Sequence, residues 1–301
     1  MVRKVATQKS IEERREQAEA LQASIGVQVE QLRQSEQWTR FLQFAQAFHA
    51  YSLNNVLLIL SQNPTATRVA GFRKWLELGR AVRKGEKSIK IFGYRERKVT
   101  DGDDHNDAVD VLGTGERVVR YFPILSVFDQ SQTDPTDPEA GDPTQLAQQL
   151  HGEDPTGILQ AVTDYLTGQG WTVTREPIAG SVNGYTTTDG TRRVVIDASL
   201  SPAQAAKTGL HEAAHVLLHA EEDHTEYIEH RGVKETEAES VAYIVAGILG
   251  LDTSSYSIGY VAGWSHCDPE TIRNTAARVL RTAHTLADAI TTTEEHDADT
   301  A

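Results

Sequence analysis

Apolar positions along this chain fall into a helical stretch, a group of short strands, a polar interruption, and then strands followed by helices. From Trp38 to Leu60, Phe41, Phe44, Phe48, Leu57 and Leu60 recur at helical spacing, which predicts one helix with a buried face. Residues 1–35 read as a polar, partly detached helix. Phe72–Leu78 reads as a short helix, and Ser88–Arg97 and Arg117–Phe128 as strands.

Thr133–Pro143 is rich in Pro, Asp and Gly and reads as a linker. After it the pattern predicts a helix over Gly157–Gly168 and a strand over Trp171–Arg175. A hairpin follows around the turn signals Asn183-Gly184 and Asp189-Gly190. A helix then opens at Ser201-Pro202, a second spans Val233–Leu249, and a third runs from Asp268-Pro269 to about Ile290, with a disordered tail. Leu251–Trp264 reads as a loop and short helix whose Tyr256 and Tyr260 are either packing residues or donors to an oxyanion. The expectation is an α+β protein of two domains: a helix over 1–35, a first domain over 36–133, a linker over 134–153, a second domain over 154–290, and a tail over 291–301.

A length of 301 residues suits two cores. The single cysteine, Cys267, excludes an internal disulfide framework and a cysteine-rich zinc site. No run of about 18 apolar residues exists, and the N-terminus lacks the apolar stretch of a signal peptide, so no membrane partner and a cytoplasmic location are expected.

The net charge of −14 conceals two different halves. Residues 1–130 hold 20 Lys and Arg against 16 Asp and Glu, whereas 131–301 hold 9 against 27. Between Arg68 and Lys98 there are 11 basic residues and three acidic ones, a candidate surface for a polyanion. There Phe72, Trp75, Phe92 and Tyr94 interleave with Arg73, Lys74, Arg80, Arg83, Lys84, Lys87 and Lys90, a mixture suited to stacking bases while tracking phosphates. The competing reading puts Trp75, Leu76 and Leu78 in the core with the charges merely solvated.

The chemistry concentrates in His211-Glu-Ala-Ala-His215. On a helix, residues four apart share a face, so both imidazoles can each give one nitrogen to a tetrahedral Zn2+ ion. Glu212 then faces the open coordination position as general base. Glu235 follows His215 after 19 residues, on the second helix, as third ligand, and Glu239 stands one turn further, able to accept the outer N–H of a ligating histidine. Glu237 and Glu239 are near enough for a shift of register to change the third ligand. His219, one turn beyond His215, is either a further imidazole on that face or a packing residue. His224 and His230 sit in an acidic connector, Glu221–His230, and read as solvated.

HEAAH followed at this spacing by Glu235-Thr-Glu-Ala238 resembles the gluzincin metallopeptidases, and more closely the compact ImmA/IrrE-type zincin domains. By position, the resemblance implies His211, His215 and Glu235 as ligands and Glu212 as base. Tyr51–Tyr94, with Tyr-Ser-x-x-Asn and Trp-x-x-x-Gly-Arg-x-Val-x-Lys-Gly-Glu-Lys, is similar to the N-terminal domain of ArdC-type antirestriction proteins, as is Val127–Thr133. That resemblance implies single-stranded DNA binding in the setting of plasmids or phages, and it brings in Asn55, which periodicity does not. The acidic stretch Thr100–Glu116 interrupts the family pattern and reads as an exposed loop.

The expected function is a single-stranded DNA-binding antirestriction protein carrying a zinc metallopeptidase with an unidentified protein substrate. Two alternatives stay open. DNA coating is the whole function and the metal site is structural, or the protein is a protease that cleaves a repressor on a DNA signal.

Overall fold

The computed structural model describes residues 11–98, 108–110, 117–136, 155–180, 182–220, 231–251 and 268–298. The connector with His224 and His230, the segment with Tyr256 and Tyr260, and Cys267 lie outside the described residues. The fold is mixed α and β. The chain divides into two compact units, one made of 1–28 and 57–143, the other of 29–56 and 144–301. This division departs from the boundary expected at residue 36, because residues 29–56 group with the C-terminal part of the chain. Among the described residues no helix is long and apolar enough to cross a membrane.

The chain opens with α1 (Ile11–Gln31), α2 (Ser35–Phe48) and α3 (Leu53–Gln62). The single helix expected over 38–60 is therefore two. Ser52 explains the break: its carbonyl accepts Val56 N–H at 2.9 Å and its hydroxyl accepts Asn55 N–H at 3.4 Å, so it caps a new helix. Around the break the apolar pattern changes from one face of α2, with Trp38, Phe41, Leu42 and Phe48 buried, to nearly all of α3, where Val56 to Leu60 are all buried.

In the first unit, β1 (Val69–Gly71), β7 (Ile124–Asp129) and β3 (Ile89–Phe92) form an antiparallel sheet in the order β1-β7-β3. A second sheet has the order β4-β6-β5, from β4 (Arg95–Lys98), β5 (Ala108–Asp110) and β6 (Arg117–Tyr121). The strand expected over 88–97 is thus bent into β3 and β4, and that over 117–128 into β6 and β7. Within the acidic stretch expected to be a loop, Ala108–Asp110 pairs with β6. The helix α4 (Phe72–Glu77) precedes β2 (Arg80–Val82), which pairs with β8 (Thr133–Pro135), so the start of the expected linker belongs to a sheet.

Asp129 organises this unit. Its buried carboxylate accepts Thr67 N–H at 2.8 Å, Arg68 N–H at 3.1 Å and Ser131 N–H at 2.9 Å, and Gln132 returns a bond to the Asp129 N–H at 2.9 Å. Gln132 Nε2 also donates to the Lys87 carbonyl at 2.9 Å, which ties down the turn holding Arg83, Lys84 and Lys87. The block Val127–Thr133 is thus a set of staples between strands.

The second unit holds α5 (Pro155–Gly168), the sheet β10-β11-β9, and three further helices. Its strands are β9 (Thr172–Glu176), β10 (Gly184–Thr186) and β11 (Arg193–Asp197), with β11 parallel to β9 and antiparallel to β10. The helices are α6 (Pro202–His219), α7 (Arg231–Ile248) and α8 (Pro269–Ala298). The last continues past Ile290, where a disordered tail was expected, so the helical pattern outlasts its apolar face. Also in this unit, α2 packs on α7, with Trp38 Nε1 donating to Ser240 Oγ at 3.1 Å.

Burial opposes ionisation of Asp129, but four bonds from Thr67, Arg68 and Ser131 outweigh it and hold the carboxyl below the usual Asp range. A depressed acid stabilises the fold above its unfolded pKa of about 3.9 and loses that contribution as pH falls through the folded value. Asp129→Asn should therefore destabilise the protein by about 1–3 kcal/mol at neutral pH. Urea unfolding checks this, and the difference from wild type should shrink below about pH 4.

Candidate metal centre

The helix α6 begins where Ser201 accepts Gln204 N–H and Pro202 occupies the first turn. Its buried face includes Ala205, Ala206, Leu210, Ala213 and Ala214, and the small side chains let α7 pack closely. On α7 the buried Ala238, Val241 and Ala242 answer them. Across this contact His211, His215 and Glu235 converge.

The Nε2 atoms of His211 and His215 are 3.1 Å apart, and Glu235 Oε2 lies 3.5 Å from the first and 3.6 Å from the second. Three donors at roughly 2.0–2.1 Å from one tetrahedral ion would be separated by roughly 3.3–3.4 Å, so the trio fits a metal ion of zinc size. The donor set of two imidazoles and one carboxylate suits such an ion as well.

His211 is held from behind. Glu239 Oε2 accepts the His211 Nδ1–H at 3.0 Å, which leaves Nε2 as the lone-pair nitrogen. Lys207 Nζ lies 3.3 Å from Glu239 Oε1. Burial works against charge on His211, but bonds with Glu235 and Glu239 prevail and push its pKa up to about 10. Glu235 is held far below the usual carboxylate range by its bonds with His211 and His215.

Glu212 is buried beside this point, and burial raises its pKa. The Thr186 hydroxyl on β10 donates to Glu212 Oε2 at 2.8 Å. Strand β10 comes close enough to do so because Gly184 has no side chain. A Cβ there would lie 2.6 Å from Thr208 Cγ2, 3.0 Å from the Val195 carbonyl oxygen and 3.3 Å from Glu212 Oε1.

The three acids of α7 point to three different places. Glu235 faces the imidazoles and Glu239 lies behind His211. Glu237 turns away, its Oε2 3.5 Å from His219 Nε2 and 3.5 Å from Arg278, both within the second unit. His219 is buried against that acid, a packing role for the imidazole beyond His215. Sequence reasoning missed Thr186, Lys207 and Arg278. Only the small residue at Gly184, two positions before Thr186, hinted that this strand touches the helix.

The basic segment is less uniform than its composition. Arg73, Lys84 and Lys87 are exposed, and Lys74 is exposed with Glu77 at 3.2 Å. Arg83 is exposed and lies near Glu86 and Asp134. Lys90 reaches the hydroxyls of Ser88 and Ser126. Two expected contacts need correction. Trp75 is fully buried and its Nε1 donates to the Phe128 carbonyl at 2.8 Å, so it offers no face to a base. Arg80 is buried with Nε and Nη2 spent on Thr133, so its charge is a structural one. Asn55 falls in the second unit, in the first turn of α3.

Comparison with known proteins places both halves. Residues 15–128 match the family model for the N-terminal domain of anti-restriction factor ArdC, and residues 167–252 match that for the IrrE N-terminal-like domain, a peptidase family. The chain thus joins a segment similar to the ArdC N-terminal domain to one similar to the IrrE N-terminal-like domain. It is 26% identical over 281 residues to an uncharacterized protein of Bacillus anthracis, covering 84% of this chain and 47% of that one, so the chain spans about half the length of that relative. The metal-free crystal structure of the antirestriction ArdC protein from the R388 plasmid has a TM-score of 0.45 and 19% identity, covering 79% of this chain and 85% of the other. The Mn(II)-bound structure of that protein also has a TM-score of 0.45, with 17% identity over 83% and 97% of the chains.

The close approach at Gly184 is testable in the IrrE-like domain. Gly184→Ala should cost about 1–3 kcal/mol by overpacking. Thr208→Ser should restore part of this, because it removes the first methyl in the way. Thermal melts of the single and double variants measure both effects, and a neutral Gly184→Ala would contradict the packing described.

Proposed function

We propose that the chain is a zinc metallopeptidase of the antirestriction type whose first unit binds single-stranded DNA. The observation that carries the peptidase reading is the convergence of His211 Nε2, His215 Nε2 and Glu235 Oε2 with the Glu212 carboxylate beside them. When bound, zinc polarises a peptide carbonyl and lowers the pKa of its water. The chain's own groups do the rest. Glu212, its proton affinity raised by burial, takes the proton from water and returns it to the leaving amine. Thr186 holds one of its carboxylate oxygens and so fixes the plane of the base. Glu239 and Lys207 keep His211 in the tautomer that presents Nε2.

Support for the DNA reading comes from the exposed cations Arg73, Lys74, Arg83, Lys84 and Lys87 on the first unit, and from the ArdC N-terminal family match. DNA then brings the peptidase to its setting, and the substrate is a protein met there.

Glu212→Gln should keep the metal yet lower hydrolysis of an unfolded reporter protein by roughly 10²–10⁴-fold, the range of general base catalysis. Metal content is read by mass spectrometry after loading with zinc or manganese. His284→Ala is the control, because His49, His284 and Asp288 form a second trio of possible ligands. Hydrolysis that survives Glu212→Gln unchanged would end the peptidase reading. Undiminished antirestriction in the same variant would favour DNA coating as the whole function.

A further inference from the structure

The burial of Trp75 removes one of the base-stacking rings expected from the sequence, while Tyr94 stays exposed and gains a neighbour that the sequence did not single out. Among the described residues the most exposed large apolar side chains of this unit include Phe122 at 62% and Tyr94 at 56%. They face each other across a bend. Strands β3 and β4 run into each other through Gly93-Tyr94, and β6 and β7 through Phe122-Pro123, so a two-stranded ribbon turns at one place on both strands.

That bend is rigid. Gly93 N–H donates to the Pro123 carbonyl at 2.8 Å. Gly93 also admits Leu125, since a Cβ there would stand 2.6 Å from Leu125 Cδ1. The Tyr94 hydroxyl donates to the Glu96 carboxylate, which also accepts Arg120 Nε at 3.1 Å. Tyr94 and Phe122 then lie with ring centroids 5.8 Å apart at 57°. Tyr121 is also exposed and stands directly opposite Arg95 in the β4–β6 register, with Arg97 two positions on along the same face. Ile89–Lys98 and Arg117–Tyr121 hold six Lys and Arg and one acid, Glu96, and Asp110 on β5 stands opposite Arg117.

We propose that Tyr94 and Phe122, with Tyr121 beside Arg95, form the base-stacking platform for single-stranded DNA. This rests on the reading that the first unit binds such a strand. The rings are solvent-exposed and held in place, so a base can cover one without displacing core packing. The surrounding cations suit a polyanion rather than an apolar partner, and exposed rings beside cations match what a flexible strand with unpaired bases offers. A duplex, whose bases are already stacked, gains nothing from such rings. The ribbon therefore selects single strands by their free base faces and holds them by their phosphates.

The test uses the full chain and fluorescence anisotropy with labelled oligo-thymidylate, beside an abasic deoxyribose-phosphate strand of equal length and charge. Wild type should prefer the strand with bases. Phe122→Ala should weaken that binding by roughly five- to a hundredfold, the span that one base stack gives, and leave the abasic strand and the salt slope unchanged. Phe122→Trp should restore it. Replacing Arg95 and Arg97 with Gln should lower the slope on both strands by about one for each phosphate no longer neutralised. Unchanged affinity for oligo-thymidylate in Phe122→Ala would overturn the platform while leaving DNA binding intact. Equal weakening on both strands would also overturn it, since bases would then play no part. A wild type that binds neither strand would remove the DNA reading itself.

Discussion

Everything at the candidate metal centre depends on how closely α6 and α7 pack. Two imidazoles on one helix and a carboxylate on another can share an ion only when the backbones approach, and the buried alanines Ala213, Ala214, Ala238 and Ala242 permit that approach. Larger residues there would fill the interface and part the ligands. The same contact buries the groups it brings together, and burial makes their mutual charges matter. A buried acid or imidazole needs a partner, and the helices supply most of them, with β10 supplying the one for Glu212.

The acids of α7 show how that is arranged. Glu235, Glu237 and Glu239 occur within five residues, yet each answers a different partner: the imidazoles of His211 and His215, the His219 and Arg278 pair, and the outer nitrogen of His211 with Lys207. A helix turns about 100° per residue, so positions two apart point to different sides and positions four apart return to one side. Glu235 and Glu239 thus serve the same histidine from front and back. On the other side of α6, β10 closes over Glu212 through Gly184 and Thr186. The centre is built from a helix pair and one strand edge, all within the second unit.

Much of this was legible in the sequence because it is local. The caps at Ser201 and Asp268, the helical spacing of His211 and His215, and the hairpin before them all depend on neighbours a few residues apart. Glu235 was legible because a helix of matching composition carries it. The failures share a cause too. A single apolar stripe from Trp38 to Leu60 gave no sign that Ser52 would cap a second helix. Composition could not say that Trp75 and Arg80 point inward, since an aromatic or a cation reads the same in a core as on a surface until its partners, the Phe128 carbonyl and Thr133, are known. Thr186 and Arg278 lie 26 and 41 residues from the groups they touch, Glu212 and Glu237, beyond the reach of any periodicity. The helical end of α8 had the opposite fault, since polar residues without an apolar face still continue a helix once it has begun.

On the reading proposed above, His211, His215 and Glu235 together bind one metal ion. X-ray absorption at the zinc edge of the reconstituted protein tests it directly. Light-atom ligands are expected at roughly 2.0–2.1 Å, with the outer-ring scattering of two imidazoles and no sulfur. One imidazole should disappear in His215→Ala, and one oxygen ligand should disappear in Glu235→Ala but persist in Glu239→Ala. A spectrum that His215→Ala and Glu235→Ala leave unchanged would contradict it.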